Sequence, residues 1–153
     1  MSSRKNDKRR TLYNLAQAYI SGELSMPELP DLTPEVREII VRLVPEAEEI
    51  ILEQERSWGE RGLPITTYEY VGYLAQVLLS SLEEGNRDLT ERCLRAAEEL
   101  LGNPSDNVRD PMDSAYLCEC VDFQIIESLG YLLREVRELC GPRVLVLLER
   151  EIQ

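Results

Sequence analysis

Apolar side chains recur every three to four residues along the chain, which is the spacing of α-helices that bury one face. Residues typical of helix ends divide this pattern into segments. Thr33-Pro34 is typical of a helix start. Thr66 and Glu69 fit a capping box, and Gly85 is typical of a helix end. No segment shows the sustained alternation of apolar and polar positions that predicts a strand. The sequence therefore predicts an all-α fold.

Seven helical stripes are visible in the sequence. They cover residues 12–20, 36–43, 47–58, 71–82, 94–101, 121–136 and 143–152. Pro45 separates the second stripe from the third, and Gly130 lies inside the sixth, where it predicts a bend or an interruption. We therefore expect seven or eight helices. Short connections between the later helices favour a HEAT-like stack of helical hairpins, and an irregular helical bundle fits the same pattern.

Chain length and charge distribution predict how the chain is divided. With 153 residues, it is long enough for one domain with a substantial core. Residues 1–10 contain five basic side chains and one acidic side chain, whereas the rest of the chain is strongly acidic. We therefore expect a basic flexible arm over residues 1–10 and a single helical domain over residues 11–153.

The charge balance disfavours several classes of ligand. There are 29 acidic and 17 basic side chains and no histidine, which gives a net charge of -12. A surface of this sign repels phosphate groups, so we expect no direct binding to nucleic acid and none to anionic membranes. The sequence has no run of 18 apolar residues and no apolar leader segment, and we therefore expect a cytoplasmic protein.

Residues suited to catalysis or metal binding are sparse. Without histidine, the chain lacks the commonest general base and the commonest metal ligand. Cys118 and Cys120 are two residues apart on a predicted helix, so their side chains point about 200° apart and cannot share a metal ion. We expect Cys118 in the core and Cys120 outside it. The sequence thus predicts a non-catalytic protein with no metal and no cofactor.

An acidic turn is the preferred candidate for a partner-binding site. Asp106, Asp110 and Asp113 lie where one predicted helix ends and the next begins, and Tyr116 follows within one helical turn. Carboxylates at an exposed helix junction attract a basic protein, and a nearby aromatic ring can anchor it. We therefore expect these four residues to bind a basic protein partner.

A second acidic cluster is an alternative site. Glu46, Glu49 and Glu53 recur at helical spacing and share one face of a predicted helix. In a chain with so many acidic residues, such a row is also expected for an ordinary solvated helix face. It therefore carries less weight than the acidic turn.

Three passages of the sequence resemble a small, uncharacterised family of helical bacterial proteins. TPEVREIIVRLVPEAEEIILEQ is similar to the N-terminal helices of that family, RCLRAAEELLGNPSDNVRD to its central hairpin, and LCGPRVLVLLERE to its closing segment. Val108-Arg109 and Gly141-Pro142 lie at matching positions, whereas Asp110-Pro111 departs from the family and restarts the helix. Members often resemble immunity proteins of bacterial toxin systems, so the resemblance implies a HEAT-like fold and toxin neutralisation.

These observations lead to one main functional hypothesis and two alternatives. The main hypothesis is an immunity protein that neutralises a bacterial toxin domain by direct binding, because such domains are often basic and charge speeds their capture. One alternative is a helical scaffold or adaptor module. The other is an acidic mimic of nucleic acid that inhibits a DNA-binding enzyme.

Overall fold

The structure, a computed structural model, describes residues 32–102 and 111–152. The α-helical segments are α1 (Thr33–Leu43), α2 (Glu48–Glu60), α3 (Thr67–Glu84), α4 (Arg87–Leu101), α5 (Pro111–Val121), α6 (Glu127–Leu133) and α7 (Pro142–Ile152). A π-helical turn (Asp122–Ile126) joins α5 and α6 into one continuous helix, and a 3₁₀-helical stretch (Arg134–Leu139) follows α6. None of the described residues lies in a strand.

The predicted all-α fold is confirmed. With α5 and α6 taken as one helix, the described residues contain six helices, which is below the predicted seven or eight. The predicted helix over residues 12–20 and the predicted arm over residues 1–10 lie outside the described residues. The described helices belong to one compact unit, Leu32–Ile152.

Proline sets the geometry of the first two helices. Pro34 occupies the first turn of α1, where a missing N–H leaves no hydrogen bond unmade. The cap residue is Leu32 and not Thr33, so the predicted hydroxyl cap is one residue out of register. Pro45 ends α1 and opens a short 3₁₀ turn (Pro45–Ala47) that leads into α2, as its position predicted.

Helices α3 and α4 form a hairpin with well-defined caps. The Thr66 side chain accepts a hydrogen bond from the backbone N–H of Glu69, and Gly85 ends α3 in the left-handed region at φ 69°. In the sequence, Asp88 and Glu91 also fit a capping box and predict a helix start at Asp88. This prediction is wrong by two residues, because Asn86 caps α4 by accepting a hydrogen bond from the N–H of Leu89. Both predicted ends of α3 are confirmed.

The α3–α4 hairpin is the centre of the packing. α1 and α5 pack on both of its helices, the π-helical turn packs on α3, and α7 packs on α4 and α6. The described helices thus pack around the central α3–α4 hairpin. The core contains the large, fully buried side chains of these helices, among them Leu94 of α4 and Ile125 of the π-helical turn.

The π-helical turn changes which residues of the long helix are buried. Val121 and Ile126 are both buried although five residues separate them, a spacing that a regular α-helix places on different faces. Cys120 is 1% exposed and Cys118 is half-buried, so the prediction that Cys118 and not Cys120 lies in the core is wrong. Gly130 lies inside helical α6 and interrupts nothing.

A hydrogen-bonded network ties α1, α2 and α3 together at one point. The Arg37 guanidinium donates to both carboxylate oxygens of Glu55 at 2.9 and 3.0 Å, and the Tyr70 hydroxyl donates to the same carboxylate at 2.7 Å. The hydrogen bond from Arg37 lowers the pKa of Glu55. The ion pair between Arg37 and Glu55 therefore stabilises the fold above the pKa of an unfolded glutamate. This stabilisation is lost as the pH falls through the pKa of Glu55 in the folded protein.

We expect Arg37→Met to lower the free energy of unfolding at pH 7 by about 0.5–1 kcal/mol, since the ion pair is one-third exposed. The difference from the wild type should shrink below about pH 4, where Glu55 becomes protonated. Urea denaturation at several pH values measures this. Arg56→Met is the matched control, because Arg56 is exposed and has no ion pair within the described residues. A deficit of the same size at pH 3 and pH 7 would contradict the role of the ion pair.

Candidate functional site

Acidic side chains around α4 are largely neutralised within the molecule. The ion pairs are Arg92 with Glu46 and Asp88, Arg42 with Glu38 and Glu99, Arg95 with Glu91, and Arg87 with Glu138. Arg92 holds Glu46 with two hydrogen bonds and lowers the pKa of that carboxyl. This surface therefore presents little uncompensated charge to a partner.

The outer face of α2 is different, because its carboxylates have no ion-pair partners among the residues that the structure describes. Glu49, Glu53 and Glu60 are exposed and share that face, and none of them has an ion pair within the described part of the chain. Together α2 and α3 carry eight acidic residues and one basic residue, Arg56. The uncompensated negative charge of the described residues is therefore concentrated on and beside these two helices.

An open groove lies between α2, α3 and the π-helical turn, with a volume of about 460 Å³. Its walls combine aromatic rings, amide groups and one carboxylate, which come from Trp58, Tyr73, Gln54, Gln76, Gln124 and Glu69. A concave site with a few polar groups among apolar ones is typical of ligand and side-chain recognition. The groove is our candidate functional site.

Trp58 and Tyr73 form the aromatic part of the groove. Trp58 lies on the inner face of α2 and lines the groove together with Tyr73 of α3. The guanidinium carbon of Arg61 lies 5.2 Å from the centre of the Trp58 ring, which is a cation–π contact. The ring face of Trp58 therefore already accepts a guanidinium group.

Glu69 supplies the carboxylate of the groove. Its Oε1 accepts a hydrogen bond from the Thr66 hydroxyl at 3.0 Å, which completes the helix cap. Its Oε2 is enclosed and has no hydrogen-bond partner among the described residues. Burial raises the pKa of Glu69, and the Thr66 hydrogen bond and the Arg61 charge only partly offset this effect. One oxygen of this groove-lining carboxylate thus has no donor in the part of the chain that the structure describes.

The π-helical turn forms the wall opposite α2. Gln124 donates from Nε2 to the backbone carbonyl of Tyr68 at 3.1 Å. This close approach depends on Gly72, because a Cβ atom there would lie 2.9 Å from the same Nε2. π-helical turns often occur at functional sites, where they redirect side chains. Here the turn brings Gln124 against the first turns of α3.

Two of the predicted partner-binding residues, Asp113 and Tyr116, are described by the structure, and neither lines the groove. Asp106 and Asp110 fall outside the described residues. Asp113 is half-buried in α5, and Tyr116 is half-buried and packs against the core. Their role in binding a partner stays a prediction. Glu46 of the alternative cluster is held by Arg92.

The remaining reactive groups are buried or scattered. Burial raises the pKa of the Cys93 and Cys120 thiols to about 12 and that of Cys140 to about 11, so these thiols are poor nucleophiles. Within residues 32–102 and 111–152, no group of three or more acidic or cysteine side chains is placed to hold a metal ion. No helix in this part of the chain is both long and apolar enough to cross a membrane.

Comparison with known proteins gives no relative from which a function can be transferred. No protein-family model, no curated protein and no solved structure matches the chain. The resemblance to helical immunity proteins therefore stays a prediction.

We expect Glu69→Gln to leave the protein as stable as the wild type at pH 7, or more stable. Because the folded pKa of Glu69 is raised, its ionised form disfavours folding above that pKa, and this effect disappears below the unfolded value. The advantage of the variant should therefore vanish as the pH falls below about 4. Thermal unfolding across this pH range measures it. A lower melting temperature for Glu69→Gln at pH 7 would show that the ionised carboxylate stabilises the fold.

Proposed function

We propose that this protein is a non-catalytic, protein-binding protein of the cytoplasm that captures a basic protein. The most specific version of this proposal is that the protein is an immunity protein, which neutralises a bacterial toxin domain by direct binding. The observation that carries the proposal is the location of the uncompensated charge. Carboxylates around α4 are matched by arginines, whereas those on the outer face of α2 have no arginine partner within the described residues and lie on a helix that lines an aromatic groove.

Two physical arguments favour binding to a partner, and not solubility alone, as the reason for the acidic surface. Like charges on α2 repel one another and destabilise the folded state, and a basic partner removes this repulsion on binding. Opposite charges also speed the diffusional encounter. The groove next to them offers Trp58 and Tyr73, which belong to the residue types enriched at binding hot spots.

The proposal differs in its consequences from the two alternatives. A toxin domain kills cells that produce it alone and spares cells that also produce this protein. The partner of a scaffold or adaptor is not toxic. A nucleic-acid mimic blocks a DNA-binding enzyme in competition with DNA. Expression of the captured partner with and without this protein separates the three functions.

The proposal is tested by the kinetics of the captured partner. We expect a partner of basic net charge whose association rate falls by about tenfold or more between 50 and 500 mM salt, since ions screen the steering charges. The dissociation rate should change much less. Stopped-flow mixing measures both rates. An acidic partner, or an association rate independent of salt, would overturn the proposal.

A further inference from the structure

The groove contains complementary groups for one cationic side chain. We propose that it is the receptor for a single arginine of the basic partner, held between the Trp58 indole and the Glu69 carboxylate. This inference rests on the proposed function and identifies the chemistry of its central contact. A planar guanidinium stacks on an aromatic ring and donates in a fork to a carboxylate, which an ammonium group does less well.

The first supporting observation is the position of Arg61. Its guanidinium already stacks on Trp58, which shows that the ring face suits this group. Arg61 is exposed and has no ion pair within the described part of the chain. A single exposed cation–π contact is weak, so the arginine of a partner can displace Arg61. Arg61 therefore acts as an internal substitute for the ligand.

The second supporting observation is the enclosed oxygen of Glu69. Oε2 has no donor within the described residues, and leaving such an oxygen unpaired disfavours the free protein. The guanidinium of a partner's arginine side chain can donate to this oxygen once the side chains that enclose it shift. Binding thus satisfies an oxygen that no donor within residues 32–102 and 111–152 satisfies.

The amide groups around the opening fit the same ligand. Gln54, Gln76 and Gln124 each carry a donor and an acceptor and lie on three different walls of the groove. They suit the backbone on either side of an inserted arginine, because peptide N–H and C=O groups need both kinds of partner. The groove volume of about 460 Å³ is ample for one side chain with its flanking peptide groups.

The test uses Trp58 as its own reporter, since it is the single tryptophan of the chain. The probe is a hexa-arginine peptide titrated into the full-length protein at low salt, with tryptophan fluorescence as the signal and calorimetry as a measure of total binding. We expect a saturable fluorescence change that a hexa-citrulline peptide does not cause. Citrulline has nearly the same shape as arginine without its charge.

Two matched pairs of variants distinguish the groove from general attraction. Glu69→Gln and Glu83→Gln each remove one negative charge from α3, and Glu83 is exposed at its far end. We expect Glu69→Gln to weaken binding by about tenfold and Glu83→Gln by less than about twofold. Arg61→Gln and Arg56→Gln each remove one positive charge. Arg61→Gln should strengthen binding more, because it also removes the competitor from Trp58.

Each failure of the test has a separate meaning. Equal effects of Glu69→Gln and Glu83→Gln, or calorimetric binding without a fluorescence change, would overturn the arginine receptor and leave the capture of a basic protein intact. No binding of hexa-arginine at low salt would overturn both proposals. Equal effects of Arg61→Gln and Arg56→Gln would show that Arg61 does not occupy the receptor.

Discussion

Replacing Leu94 or Ile125 by alanine is expected to reduce the free energy of unfolding by ~2–5 kcal/mol. Both side chains are fully buried, Leu94 on the central helix α4 and Ile125 in the π-helical turn. Truncation removes apolar area from the core and leaves a cavity that the surrounding helices only partly fill. Since a domain of this size is stable by only about 5–15 kcal/mol, either change removes a large share of the total.

Leu52→Ala is the matched control for these substitutions. Leu52 lies on α2 and is 51% exposed, so its truncation should change the free energy of unfolding by less than about 0.5 kcal/mol. Urea denaturation measures all three variants. Losses below about 1 kcal/mol for Leu94→Ala or Ile125→Ala would mean that the core described here is wrong.

Glu98→Ala is expected to lower the free energy of unfolding by about 2–3 kcal/mol, the second large effect. The Glu98 carboxylate of α4 accepts hydrogen bonds from the backbone N–H groups of Arg143 and Val144, at 3.0 to 3.1 Å. Pro142 has no N–H, so these two are the first donors of α7. A side chain from another helix thus caps α7 and holds it on α4.

Gly141 provides an independent test of this cap. A Cβ atom at Gly141 would overlap the Glu98 carboxylate, so Gly141→Ala should displace the carboxylate and destabilise the protein by a similar amount. Because both substitutions remove the same hydrogen bonds, their effects should not add in the double variant. Additive losses in chemical denaturation would show that Glu98 does not act through the start of α7.

Local sequence signals identify most of the helix ends, and packing decides the rest. Thr66 and Gly85 mark α3 because a capping hydroxyl and a left-handed glycine act within one turn of the chain. Asp88 fits a cap as well as Asn86 does, and only the structure shows Asp88 paired with Arg92. The π-helical turn has only a weak signal, the buried spacing of five residues from Val121 to Ile126.

The candidate site is harder to predict than the fold, because its residues are distant in sequence. Trp58, Glu69 and Gln124 come from three helices and have no common motif. The row of Glu46, Glu49 and Glu53 is visible in the sequence, whereas the capture of Glu46 by Arg92 is not. Packing decides which carboxylates lie next to an arginine. Carboxylates that look alike in the sequence therefore differ in whether an ion pair neutralises them.

Association rates of three charge-matched variants test the central claim, that a basic partner is captured at α2 and its groove. Each variant removes two negative charges. The first changes Glu49 and Glu53 on α2, the second changes Glu91 and Glu99 on α4, and the third changes Asp106 and Asp113 of the acidic turn. All carboxylates are changed to their amides. The net charge of the three variants is the same, so differences in rate report where the partner approaches.

The measurement is the association rate with the captured partner at low salt, by stopped-flow mixing. We predict that the Glu49→Gln, Glu53→Gln variant associates several-fold more slowly than the other two. Glu91 and Glu99 are paired with Arg95 and Arg42, whereas Glu49 and Glu53 have no ion pair within residues 32–102 and 111–152 and lie on a helix that lines the groove. If the Asp106→Asn, Asp113→Asn variant is the slowest, the acidic turn is the binding site and the claim for the groove is wrong. Equal rates for all three variants would contradict any localised capture surface.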